Sequence, residues 1–433
     1  MAYADLNAPT VEARLAAVRA LGEDAIKQGV EQTEEVNNHV HSIYSFSPYS
    51  PTMIAVKAAE AGLRTVGIMD HDSVSGAAEF LEAAKVVNMA GTVGCEIRVN
   101  MDDTIMQGRK TNNPDEPNIT YIAFHGIPAD KIDEVKKFLA PIHEARIRRD
   151  RKEVERLNRV LEERGAPTLD FDQDVMPISK ADEGGSITER HILYALSLKL
   201  IEQCGKGQAL VDFVENQMGI ALKGSLKDVL LQEYNPHYAY DLLGAFKSQL
   251  VPEFFLQSSY EECITVYRAV EFANSIGAIP AYAYLGDVSE SPTGDKKAEK
   301  FEDEFLDDLI PELSMIGFQA ITYMPPRNTR EQLARLQKLC KEHGLMEISG
   351  VDINSSRQSF NCPILLEPEF AHLADAAWAL IAHEKLAAQD PKLALFNSEN
   401  PMGSLSIDDR IAKYADIGKR MDHSQPEKAI ELI

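Results

Sequence analysis

The sequence predicts an α/β fold in which seven strands, most of them followed by a helix, close or nearly close into a barrel. Three observations lead to that prediction. Short β-branched runs alternate with helices that open on a cap and stop at glycine, a rhythm that implies parallel strands joined by crossovers. Residue types able to ligate a metal stand at the ends of several of these runs. Between the fourth and fifth runs lies a long, highly charged helical block, too long to be a loop and too polar to be barrel wall.

Taken in order, Val11, Leu15, Val18 and Leu21 recur at helical spacing over about residues 11–25. The first strand is Val36 to His41. Ser50-Pro51 then supplies an N-cap and an N1 proline for a helix reaching Gly62. Arg64 to Asp70 reads as the second strand, Ala77 to Ala90 as a helix stopped by Gly91, Thr92 to Val99 as the third strand and Ile119 to Phe124 as the fourth. After the charged block, a helix from Tyr260 to Ile276 ends at Gly277 and feeds a strand over Ala278 to Tyr284. Another helix ends at Gly317 before Phe318 to Met324. The last helix is expected to open at Asn328, with Glu331 three residues on as a capping box, and to stop at Gly344 before the strand Leu345 to Asp352. The expected divisions are an N-terminal helical extension (1–35), a first barrel part (36–142), an inserted helical capping subdomain (143–253), a second barrel part (254–364) and a C-terminal extension (365–433).

Composition narrows the partners. A hydrophobic content of 44% over 433 residues suits a globular core. The net charge of −24 opposes phosphate backbones, so duplex nucleic acid is not an expected partner. A small anionic substrate remains compatible, because a bound metal reverses the local sign. The five cysteines, Cys95, Cys204, Cys263, Cys340 and Cys362, are scattered, which points to reduced thiols. With no signal-peptide pattern and no membrane-length apolar run, the sequence predicts a soluble cytoplasmic protein.

The chemistry concentrates at strand ends. His39 and His41 are two apart on a strand and so face one side. Asp70-His71-Asp72 ends the second strand, Glu96 lies in the third and Asp352 ends the last. In a parallel barrel these ends converge on one face. Imidazoles and carboxylates gathered there are costly unless a cation neutralises them, so the reading is a metal centre. The run Arg146, Arg148, Arg149, Arg151 and Lys152 reads first as a solvated helix face paired with Glu144, Glu153 and Glu155, and second as a phosphate clamp.

His39-Val40-His41-Ser42, the downstream Ser50-Pro51, Met69-Asp70-His71-Asp72-Ser73-Val74-Ser75-Gly76, Gly94-Cys95-Glu96-Ile97 and Gly350-Val351-Asp352-Ile353-Asn354 occur in the order of one family's motifs. Over about Val36 to Ile364 the chain resembles the PHP (polymerase and histidinol phosphatase) superfamily. Ile187-Thr188-Glu189-Arg190-His191-Ile192 is similar to the Arg-Pro-His-Ile segment of members that hydrolyse nucleotide phosphates. The resemblance implies a distorted seven-stranded barrel with up to three divalent metals, and phosphoester hydrolysis by a metal-activated water. His39, His41, Glu96 and Asp352 match its first metal site and His71 an outer ligand. Asp70 and His71 are expected as ligand, support or proton shuttle, and Arg190 and His191 as substrate contacts.

The departures are as specific. Phe46 stands where an acidic residue is common, Asn354 replaces the histidine of Asp-x-His, and Ala283-Tyr284-Leu285 replaces Ala-His-Pro. Tyr121 takes the place of a fourth-strand histidine, for which His125 could substitute. His125, Tyr284 and Asn354 are therefore candidate metal or substrate residues. One or two divalent ions (manganese, zinc or iron) are expected. The expected activity is hydrolysis of a phosphoester in a small phosphorylated metabolite or nucleotide. The alternative is a catalytically impaired binding or regulatory protein that keeps one metal site.

Overall fold

The computed structural model describes residues 5–222, 224–288 and 299–433. Its centre is a seven-stranded sheet in the sequential order β1 to β7. The strands are β1 (Val36–Val40), β2 (Thr65–His71), β3 (Ala90–Asn100), β4 (Ile119–His125), β5 (Ile279–Ala283), β6 (Ala320–Tyr323) and β7 (Met346–Ser349). The longer helices, in chain order, are α1 (Val11–Leu21), α2 (Pro51–Glu60), α3 (Ala77–Val86), α4 (Ile132–Glu163), α5 (Glu189–Cys204), α6 (Tyr238–Phe254), α7 (Val266–Ser275), α8 (Leu306–Ile316), α9 (Arg330–His343), α10 (Ala371–Ala387) and α11 (Ile407–Arg420).

The first and last strands meet to close the barrel nearly completely. His41 N donates to Ile353 O at 2.9 Å, and Ile353 N donates to His39 O at 3.1 Å. The Asn37 and Asn38 amides add bonds to Val351 O (3.0 Å) and Ser349 O (2.8 Å). Gly350 is required at this seam. A Cβ there would lie 2.6 Å from the His39 Cβ.

One strand breaks the expected parallel pattern. β4 runs antiparallel to both β3 and β5. The chain between β3 and β4 contains no crossover helix, so it returns down the barrel instead of re-entering from below. Tyr121 therefore sits near the rim, opposite Arg98, while His125 is carried toward the floor.

Helix boundaries also moved for local reasons. The charged helix does not begin the insert near residue 143. It starts at Ile132 and passes through Pro141 without ending. Val135, Leu139 and Ile142 are anchored in the barrel core, and Val154, Leu157 and Leu161 in the insert core. Packing at both ends outweighs the cost of an interior proline, about 3 kcal/mol. α7 opens at Val266 behind the Thr265 cap, not at Tyr260. α9 is capped by Thr329 with Gln332, one residue later than expected.

Residues 365–433 are part of the barrel's architecture. α10 places Trp378, Leu380 and Ile381 in one apolar cluster with Met69, Ala123, Ile279 and Ile348. The buried Glu384 carboxylate accepts from Thr92 Oγ1 and Val93 N, both at 2.7 Å, which ties this segment to the lower end of β3. At the other end of the chain, α1 is pinned by the buried Arg14–Glu79 pair at 2.6 Å. All five cysteines are free, and four are buried. Among the described residues no helix is long and apolar enough to cross a membrane.

Gly350→Ala should force the β1–β7 seam apart. The expected loss is about 1–3 kcal/mol of unfolding free energy in urea titrations, with weaker divalent-metal binding, because His39 is the first neighbour displaced.

Candidate metal centre

At the rim, two sets of ligand atoms lie within 4.8 Å of one another: His39, His41 and Asp352, and His41, His71 and Glu96. They share His41. β1 supplies His39 and the chain just beyond it His41, β2 supplies His71, β3 supplies Glu96, and the segment after β7 supplies Asp352. Glu96 Oε2 lies 2.9 Å from His71 Nδ1 and 3.6 Å from His39 Nε2. The His41 and His71 rings are 4.5 Å apart, and those of His39 and His41 are 5.1 Å apart.

The charges are tightly interdependent. Burial disfavours charge on His39, but Glu96 and then Asp352 outweigh it and raise the imidazole pKa. Burial would raise the Glu96 pKa, yet His39 and His71 hold it well below the usual carboxylate range. His41 is shifted down by burial and by His71. Asp352 is shifted down because His41 and His39 outweigh its burial.

The residues fit a divalent ion. His41 Nε2 is buried and has no hydrogen-bond partner; Asp352 Oδ1 is 3.1 Å away but not in hydrogen-bond geometry. An imidazole nitrogen so placed is completed by a cation, and mixed imidazole and carboxylate donors suit manganese, iron or zinc.

The ring's other nitrogen is held from behind. His41 Nδ1 is 3.2 Å from Ser45 Oγ, which donates to Asp70 Oδ1 at 2.9 Å. Asp70 also accepts from Ser42 N (2.6 Å) and Ser42 Oγ (2.7 Å). Asp70 thus folds the turn after β1 and orients His41. Its pKa is raised by burial, against the lowering effect of the Ser42 and Ser45 bonds. Nothing local in the sequence ties Ser42 and Ser45 to Asp70; the only signal is an acid at the end of the neighbouring strand.

The altered positions separate clearly. Asn354 Nδ2 donates to Asp352 Oδ1 at 2.8 Å and so steadies a ligand carboxylate. Tyr284 turns to Asp303 instead, and burial together with Asp303 raises its pKa. Burial, helped by His39, lowers the His125 pKa to about 3 and keeps its ring neutral, but His125 belongs to neither ligand set. Phe46 packs edge-on against His191, with ring centres 5.0 Å apart, and contacts Tyr194 and Tyr240 of the insert.

His191 is not placed as a substrate contact. Its Nδ1 accepts from Thr188 N at 3.0 Å, completing the cap of α5, and the side chain is 2% exposed. Burial lowers its pKa to about 3. The neighbouring Arg190 does line the cavity beside the rim, a space of about 110 Å³. Asp72, Glu96, His71, Tyr121, Arg98 and Arg146 are also in its wall.

The cationic run is only partly a solvated face. Arg148 and Arg151 make exposed pairs with Glu261 and Asp172. Arg146 and Arg149, three apart on α4, are buried. Arg146 meets Asp72 at 2.8 Å and Glu262 at 3.2 Å, and Arg149 meets Glu189 at 2.8 Å. Helical spacing could have indicated the inward face; Asp150 and Glu153 on the same helix lie beside Arg149, but Asp72, Glu189 and Glu262 come from distant segments. Asp72 itself adopts a left-handed backbone, with φ of 47°.

Residues 37–163 match the PHP domain family model. No curated protein shows significant similarity to the chain. One similar solved structure is a protein from Bifidobacterium adolescentis provisionally described as a metal-dependent phosphoesterase (18% identity, TM-score 0.49, covering 75% of this chain and 88% of that one). Another is an amidohydrolase from Chromobacterium violaceum with bound sulfate and no metal (18% identity, TM-score 0.47, covering 76% and 90%).

Ser45→Ala removes the support behind His41 without touching a ligand. Divalent-metal affinity should fall roughly tenfold by titration calorimetry, the scale usual for such outer contacts. Proton competition gives a second expectation. Only a neutral imidazole ligates, and the His39 pKa is raised, so protons compete at higher pH than for an ordinary histidine. Metal affinity should therefore rise with pH through and beyond the ordinary histidine range; a flat profile would contradict this ligand set.

Proposed function

From a chain that carries a PHP domain over residues 37–163, we propose a metal-dependent hydrolase that cleaves a phosphoester in a small phosphorylated metabolite or nucleotide. The observation that supports it most directly is the buried His41 Nε2, without a hydrogen-bond partner and set among His39, His71, Glu96 and Asp352. When bound there, a divalent ion supplies hydroxide near neutral pH and draws charge from phosphoryl oxygens.

The chain's own residues do the rest. His39, His41, Glu96 and Asp352 would hold the first ion, which leaves His71, beside Glu96, as the donor for a second. Asp70, through Ser45, keeps the His41 ring aimed at the site. His71, part-exposed, paired with Glu96 and lining the cavity, is placed to exchange a proton with a group bound there. Arg98 and Arg146 are held rigid by carboxylates and set a fixed positive wall. Arg190 lies close enough to Asp352 to help lower its pKa, and it is the residue we assign to the substrate phosphate. The insert covers the cavity and limits water.

A second reading is favoured by Phe46. An aromatic ring stands at a common ligand position and is wedged against the insert, so a protein that binds a phosphorylated ligand without turning it over is the rival. A panel of phosphomonoesters and phosphodiesters assayed with manganese separates the two. Turnover that disappears in His39→Ala, along with bound metal, supports hydrolysis; saturable binding of phosphate esters with no turnover supports the rival. Arg190→Ala should raise KM roughly tenfold or more while leaving metal content unchanged.

A further inference from the structure

The segment that follows β7 carries Asp352 and, five residues later, Arg357. It has no regular secondary structure, yet it is closed on itself by side chains. Gln358 Oε1 accepts from Asn354 N and Ser355 N, both at 2.8 Å, and Gln358 Nε2 donates to Asp352 O at 2.7 Å. Asn354 Nδ2 in turn holds Asp352 Oδ1. Moving any part of residues 352–358 therefore moves the Asp352 carboxylate.

The outer edge of this loop grips the insert. Arg357 Nε and Nη2 donate to Asp241 Oδ1 and Oδ2, each at 2.7 Å, a two-pronged fork that fixes orientation as well as distance. His237 Nδ1 meets Ser356 Oγ, and Asn235 Nδ2 steadies Asp241 at 2.7 Å. Asp241 lies in the first turn of α6, and further along the same helix Lys247 and Val251 line the cavity. One helix is thus fastened to the ligand-bearing loop at its start and walls the cavity further along.

We propose that Arg357 is a positioning residue that couples docking of the insert to the placement of Asp352, so that the cavity and the metal centre are assembled together. The proposal rests on the reading of the barrel mouth as a metal centre. Arg357 contacts neither the other ligand side chains nor the cavity. Its side chain is 46% exposed, so the pair adds little to global stability. Its effect is local, on a loop whose other fastenings are the β1 bridge at Ile353, the His237–Ser356 contact and the loop's own hydrogen bonds. Lysine cannot replace it, because an ammonium cannot span both carboxylate oxygens.

The test uses the full chain with Arg357→Ala, Arg357→Lys and the exchanged pair Arg357→Asp with Asp241→Arg. In metal-free protein, amide hydrogen exchange over residues 352–358 and the start of α6 should rise roughly tenfold in Arg357→Ala and Arg357→Lys, with the thermal midpoint nearly unchanged. Titration with manganese alone should show affinity weakened roughly three- to tenfold, and the exchanged pair should recover most of it. Unchanged exchange at residues 352–358 overturns the latch. Raised exchange with manganese affinity within twofold of the parent overturns the coupling to Asp352. A parent chain that binds no divalent ion defeats the metal reading itself, and the exchange data still decide whether the insert and the loop move together.

Discussion

The seam between the first and last strands is the constraint on which the rest depends. His39 and His41 stand near one end of the chain and Asp352 more than three hundred residues later. Two backbone bonds between the end of β1 and Ile353, with the Asn37 and Asn38 amides beside them, bring these groups together. Only glycine at position 350 lets the strands come so close. Without that approach, Asp352 would be lost from the site, and His39 and His41 would keep only His71 and Glu96 as neighbouring donors.

Charge compensation then organises what surrounds the seam. Buried Glu96 at the rim is held ionised by imidazoles; Arg98 and Arg146 on the cavity wall are held by Glu116, Glu262 and Asp72, and the buried Arg149 by Glu189. Neither group would be tolerable alone, since an unpaired buried charge costs several kcal/mol. The pairing has a functional consequence. Arginines already fixed by carboxylates do not have to be ordered when an anion arrives, although part of their positive field is already spent. Arg190 lines the same cavity outside this network of pairs.

Much of the site was legible before any coordinates. His39 and His41 share a face by the period of a strand, and Asp70, His71, Glu96 and Asp352 fall at strand ends by the same rhythm. The roles were less legible. Asp70 and His71 are adjacent, so they point to opposite sides of β2; one supports the turn that aims His41 and the other enters the site. His191 looked like a substrate contact from its motif, but the turn that caps α5 uses its ring nitrogen. His125 looked interchangeable with Tyr121 until β4 proved antiparallel, which puts Tyr121 at the rim end and carries His125 toward the floor.

By itself the sequence determined the alternation of strands and helices, the kinds of ligand at the rim and the existence of a separate helical insert, because these are written in short-range period, capping and composition. Tertiary structure decided the direction of β4, the passage of α4 through two cores, the use of the C-terminal segment at the barrel floor and the inward turn of Arg146 and Arg149. Each of these depends on surfaces far apart in the chain, and no local pattern records which distant carboxylate or apolar cluster a side chain will meet. The metal centre lies between the two cases. Its donors can be read one by one along the chain; neighbouring strands gather His39, His41, His71 and Glu96, but only the closing of the β1–β7 seam brings Asp352 to them.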